Sequence, residues 1–142
     1  MVVPDVNVLI YAHRREAPEH ENYAAWLIRM VESPEPFGLS ELVGSAFVRI
    51  VTNPRAFDKP TPRSDAIEFL DRLRARNNCR VLRPGPKNWD IFKLLCRESD
   101  ARGKLIADAY HAALAVEHGC EWITCDGDFA RFETVRWRHP LA

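Results

Sequence analysis

Five acids in this 142-residue chain stand where carboxylate chemistry could be assembled: Asp5, Glu41, Asp108, Asp126 and Asp128. Asp5 lies at the end of the apolar run Val2 to Val6, and Glu41 follows the short extended piece Phe37–Leu39. Asp126 directly follows Trp122–Cys125, with Asp128 two residues on. Asp108 falls in the first turns of a helix expected over Lys104–His118. On a 3.6-residue wheel it shares a stripe with Leu105, Ala112 and Ala115. A carboxylate on such a stripe is costly unless it is paired, hydrogen-bonded or bound to a metal. Several acids drawn together repel, and some take up protons. A hard divalent ion such as Mg²⁺ or Mn²⁺ resolves that conflict, because it prefers oxygen ligands. Such an ion can activate a water, polarise a phosphate and steady a leaving oxygen, so no Ser, Cys or His nucleophile is required.

Each acid also has a plain structural use. Asp5 can cap a helix over Val8–Ala12, and Asp128 can cap a short helix at Phe129–Phe132. Glu41 suits a helix N-terminus electrostatically. Asp126-Gly127 is ordinary turn chemistry. Asp108 has the weakest alternative, since its stripe is otherwise apolar or small.

The elements that must position these acids alternate between strand and helix. Val2 to Val6 reads as a buried strand, and Glu19–Glu32 as a helix with Tyr23, Trp26, Leu27, Met30 and Val31 on one face. Pro34 and Pro36 stop that helix. Ser40 can cap a further helix from Glu41 to about Thr52. A proline-containing loop spans Asn53–Arg63, and a helix then begins at Thr61 or Ser64 with Ile67, Leu70 and Leu73 facing inward. Arg80–Leu82 is a strand, Trp89–Glu98 a helix with Asn88 as its cap, and Gly119 closes the Lys104–His118 helix. Trp122–Cys125 and Val135–Trp137 complete the strands. This order predicts a single α/β domain over residues 1–142, with a mostly parallel sheet flanked by helices. Ligands of such sheets bind beyond the carboxyl ends of the strands, which is where Asp5, Glu41 and Asp126 fall.

Composition narrows the class. At 46% apolar residues the chain can bury a core, which excludes a disordered polymer. No apolar run is long enough for a membrane span, and no signal segment opens the chain, so a cytoplasmic location is expected. Cys79, Cys96, Cys120 and Cys125 have no zinc-like spacing and read as reduced thiols. With 20 basic and 20 acidic residues the net charge is zero, so nucleic-acid contact must use a local patch. Arg72, Arg74, Arg76 and Arg80 form one candidate cluster, and Arg131, Arg136 and Arg138 another. A solvated helix face accounts for either.

The acid-bearing motifs resemble those of the PIN-domain nucleases, and among them the VapC-type toxins of bacterial toxin–antitoxin pairs. Pro4-Asp5-Val6-Asn7-Val8-Leu9-Ile10-Tyr11 is similar to the family's opening motif, and Leu39-Ser40-Glu41-Leu42 to its second acid. Asp108-Ala109-Tyr110-His111-Ala112-Ala113-Leu114-Ala115 resembles the helix of the third acid. Thr124-Cys125-Asp126-Gly127-Asp128-Phe129 resembles the closing T-x-D-x-D-F signature. The resemblance implies a PIN-like fold and RNA cleavage dependent on Mg²⁺, with Mn²⁺ as a substitute. It also implies a homodimer and a small antitoxin that blocks the active site. Asp5, Glu41, Asp108 and Asp126 then match the catalytic acids, with Asp5, Asp108 and Asp126 as metal ligands. Asn7, Ser40, Thr124 and Asp128 are the supporting residues.

Two other readings compete. One keeps the nuclease but gives it an RNA-processing role without toxicity. The other is a non-enzymatic, doubly wound interaction domain whose acids are caps and turns. A phosphate-accepting variant of the latter wants an early acid pair and a late lysine, and no lysine follows Lys104. Lys104 and Arg102 lie close before Asp108 and are candidates for phosphate contact. His111 is placed around the wheel from Asp108, as a surface histidine, with His118 seven residues further on.

Overall fold

The computed structural model describes residues 1–142. Its centre is a sheet of five parallel strands: β1 (Val2–Pro4), β2 (Phe37–Ser40), β3 (Cys79–Leu82), β4 (Glu121–Ile123) and β5 (Trp137–Arg138). The spatial order is β3-β2-β1-β4-β5. Six helices connect them: α1 (Val6–His13), α2 (His20–Glu32), α3 (Glu41–Val51), α4 (Arg63–Arg74), α5 (Asn88–Ser99) and α6 (Lys104–Glu117). A 3₁₀ turn, Gly127–Arg131, lies between β4 and β5. This is the α/β architecture expected from the alternation of patterns. No helix is long and apolar enough to cross a membrane.

The strand order decides where a ligand can sit. From β1 the chain steps outward to β2 and β3, then returns to the other side of β1 for β4 and β5. Right-handed crossovers put α1–α4 on one face and α5 with α6 on the other. The packing agrees: α1 lies against α2 and α3, α3 against α4, and α5 against α6. Winding therefore reverses between β1 and β4, the point at which the flanking helices of such a sheet diverge and leave a crevice beyond the strand ends. Asp5 and Asp126 flank that crevice.

Burial on both faces explains why the central strands are apolar throughout. Val3, Phe37, Trp122 and Ile123 are fully or almost fully buried. Phe129 and Phe132, from the segment after β4, fill the same core. Several details of the expected pattern change: Asn88 is the first residue of α5, with Lys87 and not Asn88 at its cap, and the last strand is Trp137–Arg138 instead of Val135–Trp137. The first strand ends at Pro4, because Asp5 already caps α1. In α4, Ala66, Leu70 and Leu73 are buried while Ile67 is 43% exposed. The small Ala66 supplies the inward contact, whereas size alone phases the wheel on Ile67.

Gly38 in β2 has a steric reason to lack a side chain. A Cβ there would meet Leu82 Cδ1 at 2.6 Å and Val3 Cγ2 at 2.8 Å. β2 carries Ser40 and Glu41 to the functional edge, so its seating between β1 and β3 matters. Gly38→Ala is expected to destabilise the fold by about 1–3 kcal/mol through overpacking. Urea unfolding checks this, and an unchanged midpoint would show that Leu82 and Val3 yield freely.

Candidate active site

The pairing of β1 with β4 runs Val2 with Glu121, Val3 with Trp122 and Pro4 with Ile123. One more step along that register sets Asp5 beside Thr124. The Thr124 hydroxyl donates to Asp5 Oδ2 at 2.7 Å, and the Val6 backbone N–H donates to Oδ1 at 2.6 Å. Asn7, two residues on, spans the crevice. Its amide N–H₂ lies 3.3 Å from both Asp5 Oδ2 and Thr124 Oγ1, and its Oδ1 accepts from the Cys125 backbone N–H at 3.2 Å. Thr124 Oγ1 also accepts from the Asp126 backbone N–H at 3.0 Å. One hydroxyl thus orients two acids from different segments, and it is completely buried.

Asp126 is the cap of the 3₁₀ turn: its Oδ1 accepts from the Asp128 backbone N–H at 2.9 Å. The capping role considered for Asp128 belongs to Asp126, leaving the Asp128 side chain exposed without a bonded partner. Asp126 Oδ2 stays free of the turn and receives Lys104 Nζ at 3.1 Å. The same ammonium reaches Asp108 Oδ2, also at 3.1 Å. Asp108 is only 13% exposed at its side chain, as its stripe with buried Leu105, Ala112 and Ala115 requires. Asp5, Asp108 and Asp126 therefore border one crevice, with Lys104 at its mouth.

Glu41 stands apart from this trio. It begins α3 beyond the end of β2, with Ser40 Oγ capping the helix through the Val43 N–H at 3.3 Å. Its carboxylate is held by Arg83, at 2.5 and 3.2 Å, and by Arg74 at 3.4 Å. Arg83 immediately follows β3, the strand beside β2, so parallel pairing delivers it to the same edge. No residue pattern marked Arg83; only the strand order reveals it. Glu41 thus shares the sheet edge with the other acids, and its carboxylate bonds to arginine instead of to them.

His111 departs from expectation in a different way. Residues three apart on a helix share a face, so His111 lies on the side of Asp108, not around the wheel from it. It is half-buried and stacks on Trp122 with ring centroids 6.0 Å apart. Its Nδ1 is fully buried and has no hydrogen-bond partner. Burial holds its imidazole below the ordinary value, against the pull of the nearby Asp5 and Asp108 carboxylates. Arg102 pairs with Asp100 at the surface, and His118 bonds the Arg83 carbonyl oxygen. Most of the clustered arginines are likewise engaged: Arg72 with Glu68, Arg76 with the Val31 carbonyl oxygen, and Arg138 with Glu121.

The electrostatics separate the acids. Burial raises Asp5 above the ordinary 3.8, opposed by its bonds from Thr124 and Val6 and by His111, with Asp108 adding to the rise. Burial works the same way at Asp126, but the Asp128 N–H and Lys104 outweigh it, and the group is lowered. Arg83, then Arg74, lower Glu41. A divalent ion fits this donor set chemically. The three crevice carboxylates are hard oxygen donors, two already bridge a cation, and the third is a desolvated anion short of positive charge. In the present arrangement no three such groups stand close enough to enclose an ion.

Comparison with known proteins bears on the family and the fold. The PIN domain family model matches residues 2–135. Ribonuclease VapC43 of Mycobacterium tuberculosis is 45% identical over 141 residues, covering 99% of this chain and 96% of that one. Among solved structures, VapBC2 from Rickettsia felis, bound to a promoter DNA fragment, superposes with a TM-score of 0.72 at 16% identity. That match covers 98% of each chain. A toxin–antitoxin complex from Klebsiella pneumoniae gives 0.61 at 19%, covering 99% of this chain and 98% of that one. At such identities the two structures speak for the fold.

The raised value of Asp5 carries a sign. Ionising a carboxyl whose folded value is raised costs folding free energy, so its contribution falls as pH rises from about the unfolded value through the folded one. Asp126 and Glu41 run the other way: their stabilisation is present above the unfolded values and is lost as pH falls through the folded ones. In EDTA, the melting temperature of Asp5→Asn relative to the parent should therefore rise between pH 4 and pH 7, because only the parent ionises a buried carboxyl there. The amide also loses one acceptor oxygen, so the offset at a single pH carries no sign. A difference that stays constant or falls over that range would contradict a desolvated charge at Asp5.

Proposed function

This chain belongs to the PIN domain family, and on that footing we propose that it is a metal-dependent endoribonuclease acting as the toxin of a toxin–antitoxin pair. The observation that carries this reading is the crevice at the β1/β4 reversal. Thr124 and Asn7 orient Asp5 and the segment bearing Asp126, and Asp108 closes the site from α6. The ribonuclease relative, 45% identical over almost the full chain, supports the activity. The toxin–antitoxin complex of the same fold supports the partner.

Asp5, Asp108 and Asp126 would hold Mg²⁺, or Mn²⁺ in its place. When bound, such an ion supplies Lewis-acid polarisation of an RNA phosphate and acidifies a water for in-line attack. The chain's own residues do the positioning. Thr124 fixes Asp5 by donating to it and fixes the Asp126 segment by accepting from its backbone. Asn7 locks the two strand ends together through Cys125. Glu41, kept ionised by Arg83 and Arg74, is the fourth catalytic acid and extends the negative edge. Those guanidiniums put positive charge at the rim, where an RNA backbone can be steadied. Asp128 and Ser40 support: the first through its N–H to Asp126, the second by capping the helix that carries Glu41.

Residues 1–142 then form one nuclease domain that works as a cytoplasmic homodimer and is silenced by a small cognate antitoxin. Cleavage of this kind leaves a 5′-phosphate and a 3′-hydroxyl. Purified protein incubated with RNA should give those ends in Mg²⁺ or Mn²⁺ and none in EDTA. Thr124→Val should lose about 10–100-fold in rate as a supporting-residue defect, and Asp5→Ala should lose more. Ends carrying a 2′,3′-cyclic phosphate, or full cleavage in EDTA, would overturn the mechanism. Growth arrest on expression that persists in Asp5→Ala would overturn the toxin reading.

A further inference from the structure

The geometry points to Lys104 as a resident counter-ion of the crevice, one that a divalent ion must displace, so that this side chain sets how readily the protein takes up metal. This rests on the reading that Asp108 and Asp126 hold the ion. Lys104 Nζ lies 3.1 Å from Asp108 Oδ2 and 3.1 Å from Asp126 Oδ2. The two carboxylates come from separate elements, α6 and the turn after β4, and Lys104 is the cation that joins them. At Asp126 it occupies Oδ2, the oxygen left free by the bond from the Asp128 N–H to Oδ1.

The location of Lys104 is otherwise unfavourable. It is the first residue of α6, and the first turn of that helix contains no acid. A helix N-terminus carries partial positive charge and disfavours a cation there. A lysine preceding an acid by four residues is also the weaker of the two helical orders. Gly103, which precedes it at φ 57°, offers no capping side chain. Helix stability therefore gives no reason for a lysine at this position, whereas two neighbouring carboxylates do.

The side chain is built to leave. It is 71% exposed, so swinging out forfeits little packing. Its ammonium is a compact point charge without the bidentate fork by which arginine grips a carboxylate. Ion pairs this exposed are individually weak. The site can thus keep its acids neutralised before metal arrives and still release them when it does.

Isothermal titration of Mn²⁺ into the metal-free full-length protein, without RNA, tests the assignment. Lys104→Gln should bind Mn²⁺ about three- to tenfold more tightly than the parent, while Lys104→Arg, which keeps the positive charge and grips carboxylates more firmly, should bind it no more tightly than the parent. The rise in melting temperature on adding Mn²⁺ should also be larger in Lys104→Gln, because its acids start unscreened. Affinity in Lys104→Gln that equals or falls below the parent's would overturn the counter-ion role. Asp108→Asn separates the two layers. Lost Mn²⁺ binding in that variant supports the site, so that a failure of Lys104→Gln to bind more tightly would then count against the lysine alone. Unchanged binding would overturn the site, and the role of Lys104 with it.

Discussion

The Thr124 hydroxyl and Asp5 Oδ2 meet at 2.7 Å although 119 residues separate them in the chain. That bond forms only after β1 and β4 have paired, with the register that sets Pro4 beside Ile123. It therefore couples the sheet's topology to its chemistry. The strand order reverses at the place where the bond forms, which is where sheets of this kind offer a ligand crevice. Because Thr124 Oγ1 also accepts from the Asp126 N–H, a shift in register would misplace both acids together. One buried hydroxyl thus serves as the reference point for Asp5, Asn7 and Asp126.

The acids along this edge sit in three different electrostatic settings. Two arginines hold Glu41, and one exposed lysine joins Asp108 to Asp126. Asp5 receives hydrogen bonds and no ion pair, and burial raises it above its ordinary value. A desolvated, unpaired carboxylate weakens the fold, a conflict between stability and the proposed function. The conflict is tolerable because the surrounding core is closely built, with Trp122, Ile123 and Val3 fully buried directly beneath it. Stability comes from the apolar strands, and chemistry sits just past their ends.

Most of this is readable from residue patterns. Apolar strands followed directly by acids place Asp5, Glu41 and Asp126 at one edge, and the helical wheel turns Asp108 toward packed protein. The parallel sheet follows from alternation of elements. What pattern alone misses is lateral. Arg83 becomes visible only when β3 proves to lie beside β2, since 42 residues separate it from Glu41. Lys104 looks like a phosphate contact in the sequence because its distance from Asp126 depends on how α6 meets the turn after β4. His111 is misplaced by a wheel reading that overlooks the shared face of residues three apart. Ile67 is turned inward when its bulk outweighs the small Ala66 in reading the stripe. Local periodicity reports which face is buried; it does not report which neighbour buries it.

The crevice at the β1/β4 reversal, framed by Asp5, Asp108 and Asp126, is on this account the seat of the metal. Anomalous diffraction from crystals grown with Mn²⁺ tests it most directly. A peak is expected within coordination distance of Asp108 and Asp126 and bonded to Asp5 directly or through one water, with the Lys104 ammonium moved away from both carboxylates. A peak elsewhere, or an ion in the crevice with Lys104 still bridging the two acids, would contradict it.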